Sequence, residues 1–258
     1  MDPFLIRNKM SRKTKRPQFD IPETEVADKR RRPRSPDQTL KLYLKTVKPL
    51  TENQRRTFDS YYSGQNLLLM GSAGTGKSFL SLYLGLNDLL KEDSEFKKLI
   101  IIRSAVPSRD IGFLPGTQKE KMKVYELPYK QIFNELLGRG DAYDILRNKG
   151  IVEFECTSFL RGITFNDALI IVDEFQSMTF HEIDTIVSRI GNNSKIIITG
   201  DSKQNDLINK KHDVSGLSHA VQIIKNILEF DIIEFDTNDI VRSGLVKSWI
   251  LSRERLNI

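Results

Sequence analysis

Apolar residues in this chain gather into short continuous runs separated by amphipathic stretches. Leu67 to Met70, Leu99 to Ile102, Ala168 to Val172 and Ile196 to Ile198 are such runs, and β-branched residues dominate the last three. That is the composition of strands buried on both faces. Ile151 to Glu155 alternates apolar and acidic positions, and Ile232 to Phe235 supplies a last short run, making about six strands. Between the runs the period becomes helical. Thr51 predicts the N-cap of a helix reaching about Tyr62, with Pro49 just outside and Glu52 in the first turn. Lys77 to about Lys91 sets Leu80, Tyr83, Leu84 and Leu90 on one side. Tyr129 to Asn148 predicts a helix interrupted at Gly138-Arg139-Gly140, and Phe180 to Ile190, Leu217 to Phe230 and Val246 to Leu256 predict three more. Strands alternating with helices imply βαβ units, and so an α/β fold with a mostly parallel sheet and helices on both faces. Ser104 to Gly116, punctuated by Pro107, Gly112, Pro115 and Gly116, predicts a long surface loop of the kind that often carries function.

Composition changes this picture mainly at the N-terminus. A length of 258 residues with 39% hydrophobic content suits one substantial core. No apolar run nears the ~20 residues of a membrane span, and the N-terminus lacks a signal-peptide core, so a soluble cytoplasmic protein is expected. Cys156 is the single cysteine, cannot form an internal disulfide, and reads as a small core residue. The formal charge of +6 is carried entirely by residues 1–36, which hold eleven Lys/Arg against five Asp/Glu and are broken by Pro17, Pro22, Pro33 and Pro36. The expectation is a disordered basic arm over 1–36 and a single domain over 37–258. Such an arm attracts phosphate backbones, addresses a protein to a nucleus, or simply stays solvated.

The chemistry is concentrated at three strand ends. After Leu67 to Met70 come Gly71, Ser72, Ala73, Gly74, Thr75, Gly76, Lys77 and Ser78, which satisfy GxxxxGK[ST] between a strand and a helix. Small residues let backbone N–H groups wrap a phosphate at the helix N-terminus. Lys77 would reach the β- and γ-phosphates and Ser78 would supply a hydroxyl to Mg²⁺. Ala168 to Val172 ends in Asp173 and Glu174, which a parallel sheet delivers to its ligand-binding edge. Asp173 is the expected metal residue and Glu174 the expected general base for an attacking water. Lys195 to Thr199 leads into Gly200 and Asp201, with Gln204 close behind. If that strand neighbours the acidic one, these polar groups fall beside Asp173 and can sense the γ-phosphate.

With those stretches in hand, the sequence resembles the PhoH-like family of P-loop NTPases, whose core is similar to the first RecA-like domain of superfamily 1 helicases. The resemblance runs from about Leu50 to Val246 and is carried by IGFLPGTQKEK from Ile111, FLRGITFNDALIIVDEFQ from Phe159, SRIGNNSKIIITGDSKQNDL from Ser188 and DIVRSGLV from Asp239. It implies a RecA-like α/β core and ATP with Mg²⁺ as cofactors. It also implies Gln54 as the residue that recognises adenine, and Asp201 and Gln204 as the motif coupling γ-phosphate to nucleic-acid contacts. Arg242 is implied as a candidate arginine finger, with Arg103, Arg161 and Arg189 as the other arginines near strand ends and loops.

One departure matters. A superfamily 1 enzyme closes ATP between two RecA-like domains, and this chain ends soon after its first. By analogy, the expected solution is a homo-oligomer, a hexameric ring whose neighbouring subunit completes the site. The leading expectation is therefore an Mg²⁺-dependent ATPase acting on RNA or single-stranded DNA. A nucleotide-gated assembly module with incidental turnover is the alternative. A nucleoside kinase is disfavoured, because Asp173, Glu174 and Gln204 suit water activation and sensing.

Overall fold

Six parallel strands form one sheet in the computed structural model, which describes residues 42–104, 118–160, 162–201 and 216–256. In chain order the elements are α1 (Glu52–Tyr62), β1 (Asn66–Gly71), α2 (Lys77–Leu89), β2 (Lys98–Arg103), α3 (Gln118–Leu137), α4 (Ala142–Asn148) and β3 (Val152–Cys156). Then follow β4 (Ala168–Asp173), α5 (Phe180–Val187), β5 (Lys195–Gly200), α6 (Leu217–Ile224), β6 (Phe230–Phe235) and α7 (Gly244–Arg255). The strand order is β3-β2-β4-β5-β1-β6, with every pairing parallel. This is the expected α/β, RecA-like arrangement, and it sets β5 between the phosphate-loop strand and the acidic strand.

The continuous apolar runs are explained by burial on both faces. Leu67, Leu69, Leu99, Ile101, Leu169, Ile171 and Ile197 point into one core with Tyr61, Leu82, Tyr129, Phe133 and Tyr143 from α1 to α4. The alternate residues Leu68, Met70, Ile100, Ile102, Ile170, Val172, Ile196 and Ile198 pack with Ile183 and Ile186 of α5 and with Ala220 and Ile224 of α6. A period of two on a sheet thus divides one apolar run between two cores. Cys156 is buried, as expected of a small core residue.

Local chemistry sets most boundaries. Thr51 caps α1 by accepting from the Gln54 N–H, and Thr179 with Glu182 forms a reciprocal capping box on α5. Three predicted boundaries move. The helix predicted from Tyr129 begins eleven positions earlier, at Gln118, with Pro128 inside it. Proline forfeits one backbone bond, and buried Tyr129, Phe133, Leu136 and Leu137 hold the helix beyond it. The helix predicted to reach Phe230 stops at Ile224, because Phe230 already opens β6 against Asn66. The α5 helix ends at Val187 rather than Ile190, since Phe165 pairs with Ile190 in an isolated bridge. The arm over 1–36, all of the predicted Ser104–Gly116 loop after Ser104, Arg161 and Gln204 lie outside the described residues.

β1 and β6 meet most tightly where β1 turns into the phosphate loop. Gly71 has φ +129°, and a Cβ there would stand 1.9 Å from the Phe235 carbonyl oxygen, which is backbone and cannot swing away. Gly71→Ala is therefore expected to cost about 3 kcal/mol or more, combining left-handed strain with overpacking. Urea denaturation checks this; parent-like stability would mean that β6 yields freely at Phe235.

Candidate nucleotide site

The C-terminal ends of β1, β2, β4 and β5 open on a common cleft of about 760 Å³, at the sheet edge where parallel α/β folds collect ligands. Its phosphate-loop wall includes Ala73, Gly74, Gly76, Lys77 and Ser78, and its floor includes Arg103, Asp173, Glu174, Thr199, Gly200 and Asp201. Val47, Lys48 and Leu50, with Pro128, Tyr129, Gln131, Ile132 and Glu135 of α3, complete the lining. Val241 and Arg242 close the side next to the loop.

Asp173 is the meeting point. Its Oδ1 accepts from the Ser78 hydroxyl at 2.8 Å and from the Thr199 hydroxyl, while its Oδ2 accepts from the Tyr129 hydroxyl at 2.8 Å. Four elements, α2, β4, β5 and α3, thus converge on one carboxylate that is 5% exposed. The sequence-predicted residues Ser78, Asp173 and the Thr199–Asp201 strand end are brought together, because β4 and β5 are neighbours. Oxygen donors alone make up this set, which fits Mg²⁺, a hard cation that keeps its remaining positions for water and substrate phosphate. Among the described residues no group of three or more His, Cys, Asp or Glu could hold a metal.

Lys77 lies folded onto its own loop. Its Nζ donates to the Gly71 and Ser72 carbonyls at 2.8 Å each and to the Thr75 hydroxyl at 3.3 Å. Burial pushes its ammonium below the ordinary lysine range, against the pull of Asp201, Asp173 and Glu174. Glu174 follows β4 in the left-handed region, φ 56°, which turns it out of the strand line into the cleft. Burial first, and the neighbouring Asp173 charge second, raise its carboxyl above the ordinary glutamate range. A carboxylate held there is a better proton acceptor near neutrality than a solvated one. The same environment, with desolvation leading, holds the Tyr129 hydroxyl well above its usual range, so it stays a donor to Asp173.

Three functional contacts have no warning in the sequence. Residue order marks Tyr129 only as the start of a helix, yet its hydroxyl reaches an acid 44 residues on. Gln176 donates to Glu174 at 2.5 Å and accepts from the Asp201 N–H at 2.9 Å, tying the ends of β4 and β5 together. Glu182 accepts from Thr157 at 2.5 Å and Ser104 at 3.3 Å while capping α5, which joins the ends of β2 and β3. Each depends on which strand ends the sheet brings side by side, and that is not legible from a single sequence.

Gln54 and Arg242 both hold contacts with the phosphate loop of their own chain. Gln54 is 3% exposed; its Oε1 accepts from the Leu50 N–H at 2.8 Å and its Nε2 donates to the Thr75 carbonyl at 3.1 Å. Its amide is thus engaged in bracing the phosphate loop and retains one lone pair and one N–H for another group. Arg242, the candidate arginine finger, lies over the loop of its own chain. A Cβ on Gly74 would meet Arg242 Cγ at 3.0 Å, and the Val241 N–H donates to the Gly74 carbonyl at 3.2 Å. Arg103, paired in register with Asp173, sets its guanidinium 5.7 Å from the Tyr125 ring centroid. Arg189 donates to the Leu160 carbonyl at 2.6 Å, a structural contact.

The family model for PhoH-like proteins matches residues 46–253. The PhoH-like protein of Bacillus subtilis (strain 168) is 35% identical over 214 residues, which is 83% of this chain and 66% of that protein. The PhoH-like protein of Mycobacterium leprae (strain TN) is 34% identical over 212 residues, 81% of this chain and 59% of that one. The chain therefore spans less than two thirds of the length of these relatives. Among solved structures, the large terminase of a thermophilic bacteriophage, in complex with ADP, aligns with a TM-score of 0.42 at 11% identity, over 78% of this chain and 49% of that one. The Pif1 helicase from Candida albicans aligns with a TM-score of 0.37 at 16% identity, over 74% and 41%. By its sequence from residue 46 to residue 253, the chain belongs to the PhoH-like protein family.

Proposed function

We propose that this protein is an Mg²⁺-dependent ATPase whose turnover is coupled to RNA or single-stranded DNA. The observation that carries the reading is the 2.8 Å contact between the Ser78 hydroxyl and Asp173, flanked by half-buried Lys77 and by Glu174 with its raised pKa. Ser78 and Asp173 would hold the cation, directly and through water respectively, and Mg²⁺ there would neutralise charge on the terminal phosphates. The loop from Gly71 to Ser78 would cradle the phosphates, with Lys77 released from the loop carbonyls to reach them. Gln54 would offer its remaining lone pair and N–H to adenine. Glu174 takes a proton from the attacking water, and Gln176 keeps its carboxylate turned toward Asp201. Arg242, beside Gly74, would neutralise developing charge from within its own chain, and Arg103 supplies a second cation on the same floor. Asp201 and Gln204 would report the γ-phosphate. The basic arm over 1–36 supplies a sequence-independent attraction for nucleic acid.

Glu174→Gln is the sharpest test of the chemistry. It keeps the shape and removes the base, so ATP should still bind while turnover falls by about 10²- to 10⁴-fold, the range for general-base loss. The same substitution should raise the melting temperature of the nucleotide-free protein near neutral pH. Because folding raises the Glu174 pKa, its ionised form opposes folding, and that penalty shrinks as pH falls from the raised value toward the ordinary glutamate range and is gone below it. The gap between variant and parent should therefore close on the acid side. Parent-rate hydrolysis by the variant would assign water activation to another group.

Arg242→Ala should lose turnover while still binding ATP. Because Arg242 lies over its own phosphate loop, mixing this variant with Glu174→Gln should restore nothing: each mixed site lacks one group. Recovery on mixing would move Arg242 to a neighbour's nucleotide and support a shared, ring-type site. Deleting residues 1–36 should lower both non-specific nucleic-acid affinity and its slope against salt, with ATPase activity retained. An unchanged salt slope would make the arm a solvated leader.

A further inference from the structure

From the α7 face that carries Trp249, we infer that this helix is a stacking platform for single-stranded nucleic acid. Trp249 is the only tryptophan of the chain and is 70% exposed, at the middle of a helix. A tryptophan left open to water is unusual for a side chain of its size, since most of its ring is apolar. Leu245 precedes it by one turn and Leu256 follows it by two, both exposed on the same face, and Arg253 lies one turn beyond the indole. Apart from Arg242, which lies over the phosphate loop, α7 holds Lys247, Arg253 and Arg255 against the single acid Glu254, and Arg253 shares the indole's face. An aromatic face set among cations is what an unpaired strand requires: its bases stack on the ring and its phosphates meet the positive charge. A protein partner covering an apolar stripe would not need the excess of cations, and that excess favours nucleic acid as the occupant.

The platform is anchored where it can matter to turnover. Ile250, one position after Trp249, is buried, and a Cβ on Gly74 would stand 3.3 Å from its Cδ1. The segment leading into α7 donates from Val241 to the same glycine's carbonyl. One face of the helix thus bears on the phosphate loop while the adjoining face presents the indole. A strand stacked on Trp249 pulls on the loop that holds the nucleotide. The inference rests on the nucleic-acid coupling proposed above and supplies the site for it.

Intrinsic fluorescence reads the site directly, because every photon of tryptophan emission comes from residue 249. Titration of the full-length chain with oligouridylate or oligothymidylate should quench that emission. With fluorescein-labelled oligonucleotides, Trp249→Ala should weaken binding by about 5- to 150-fold, as the loss of one stacked base does, and Trp249→Phe should recover part of it. Basal ATP turnover without nucleic acid should be unchanged in both variants. Binding that neither quenches the emission nor responds to Trp249→Ala would overturn the α7 site while leaving nucleic-acid coupling to the arm or another surface. A blue shift that grows with protein concentration, with a matching rise in solution mass and no oligonucleotide present, would assign the face to a second copy of the chain and overturn it too. No binding of either oligonucleotide at low salt would overturn both this site and the coupling.

Discussion

A single buried carboxylate, Asp173, accepts hydroxyl hydrogen bonds from Ser78, Thr199 and Tyr129, and the candidate site is built outward from it. Burying an anion is costly unless its oxygens are satisfied, and three hydroxyls from three other elements provide that satisfaction. The arrangement forces α2, β5 and α3 to meet β4 at one point, which is also where the phosphate loop ends. It has a second consequence. The Asp173 charge helps hold Glu174 above the ordinary glutamate range and helps to keep Lys77 protonated against burial, so neighbouring pKa values are tuned from the same centre.

The sheet explains why that centre can be so rigid. Asp173 closes a strand buried along its whole length, between two strands that are themselves buried. Gln176 and Glu182 then bridge neighbouring strand ends on either side, so the floor of the cleft is cross-linked by side chains as well as by the ladder. Against this fixed floor, the walls belong to separate pieces of chain: the 47–50 segment, α3, and the α7 approach through Val241 and Arg242. Nucleotide lying in the cleft would touch all of them at once.

Much of this is legible from residue order, for stated reasons. The apolar runs at 67–70, 99–102, 168–172 and 196–198 have the composition of strands buried on both faces, and Thr51 carries the α1 cap in its own side chain. The phosphate loop and the acidic strand end are legible because their spacing encodes chemistry. Boundaries fail where two tendencies overlap: Pro128 reads as a helix breaker although buried Tyr129 and Phe133 keep α3 continuous, and the apolar letters from Ile223 to Phe230 run one helix into the next strand. The position of Arg242 over its own loop cannot be read, because it depends on β6 lying beside β1, a pairing 164 residues apart. Tyr129, Gln176 and Glu182 escape sequence reading for the same reason, each acting through a contact made only by the folded sheet.

The central claim is that Asp173 is the metal-holding centre of a phosphate site. The direct measurement is nucleotide affinity and steady-state ATP hydrolysis across a Mg²⁺ titration, for the parent and for Asp173→Asn. Turnover should require Mg²⁺ and saturate with it, and the variant should need far more Mg²⁺ and bind Mg²⁺-nucleotide more weakly while keeping its fold. Hydrolysis that persists in a chelator, or an Asp173→Asn protein with the parent's Mg²⁺ dependence, would contradict it.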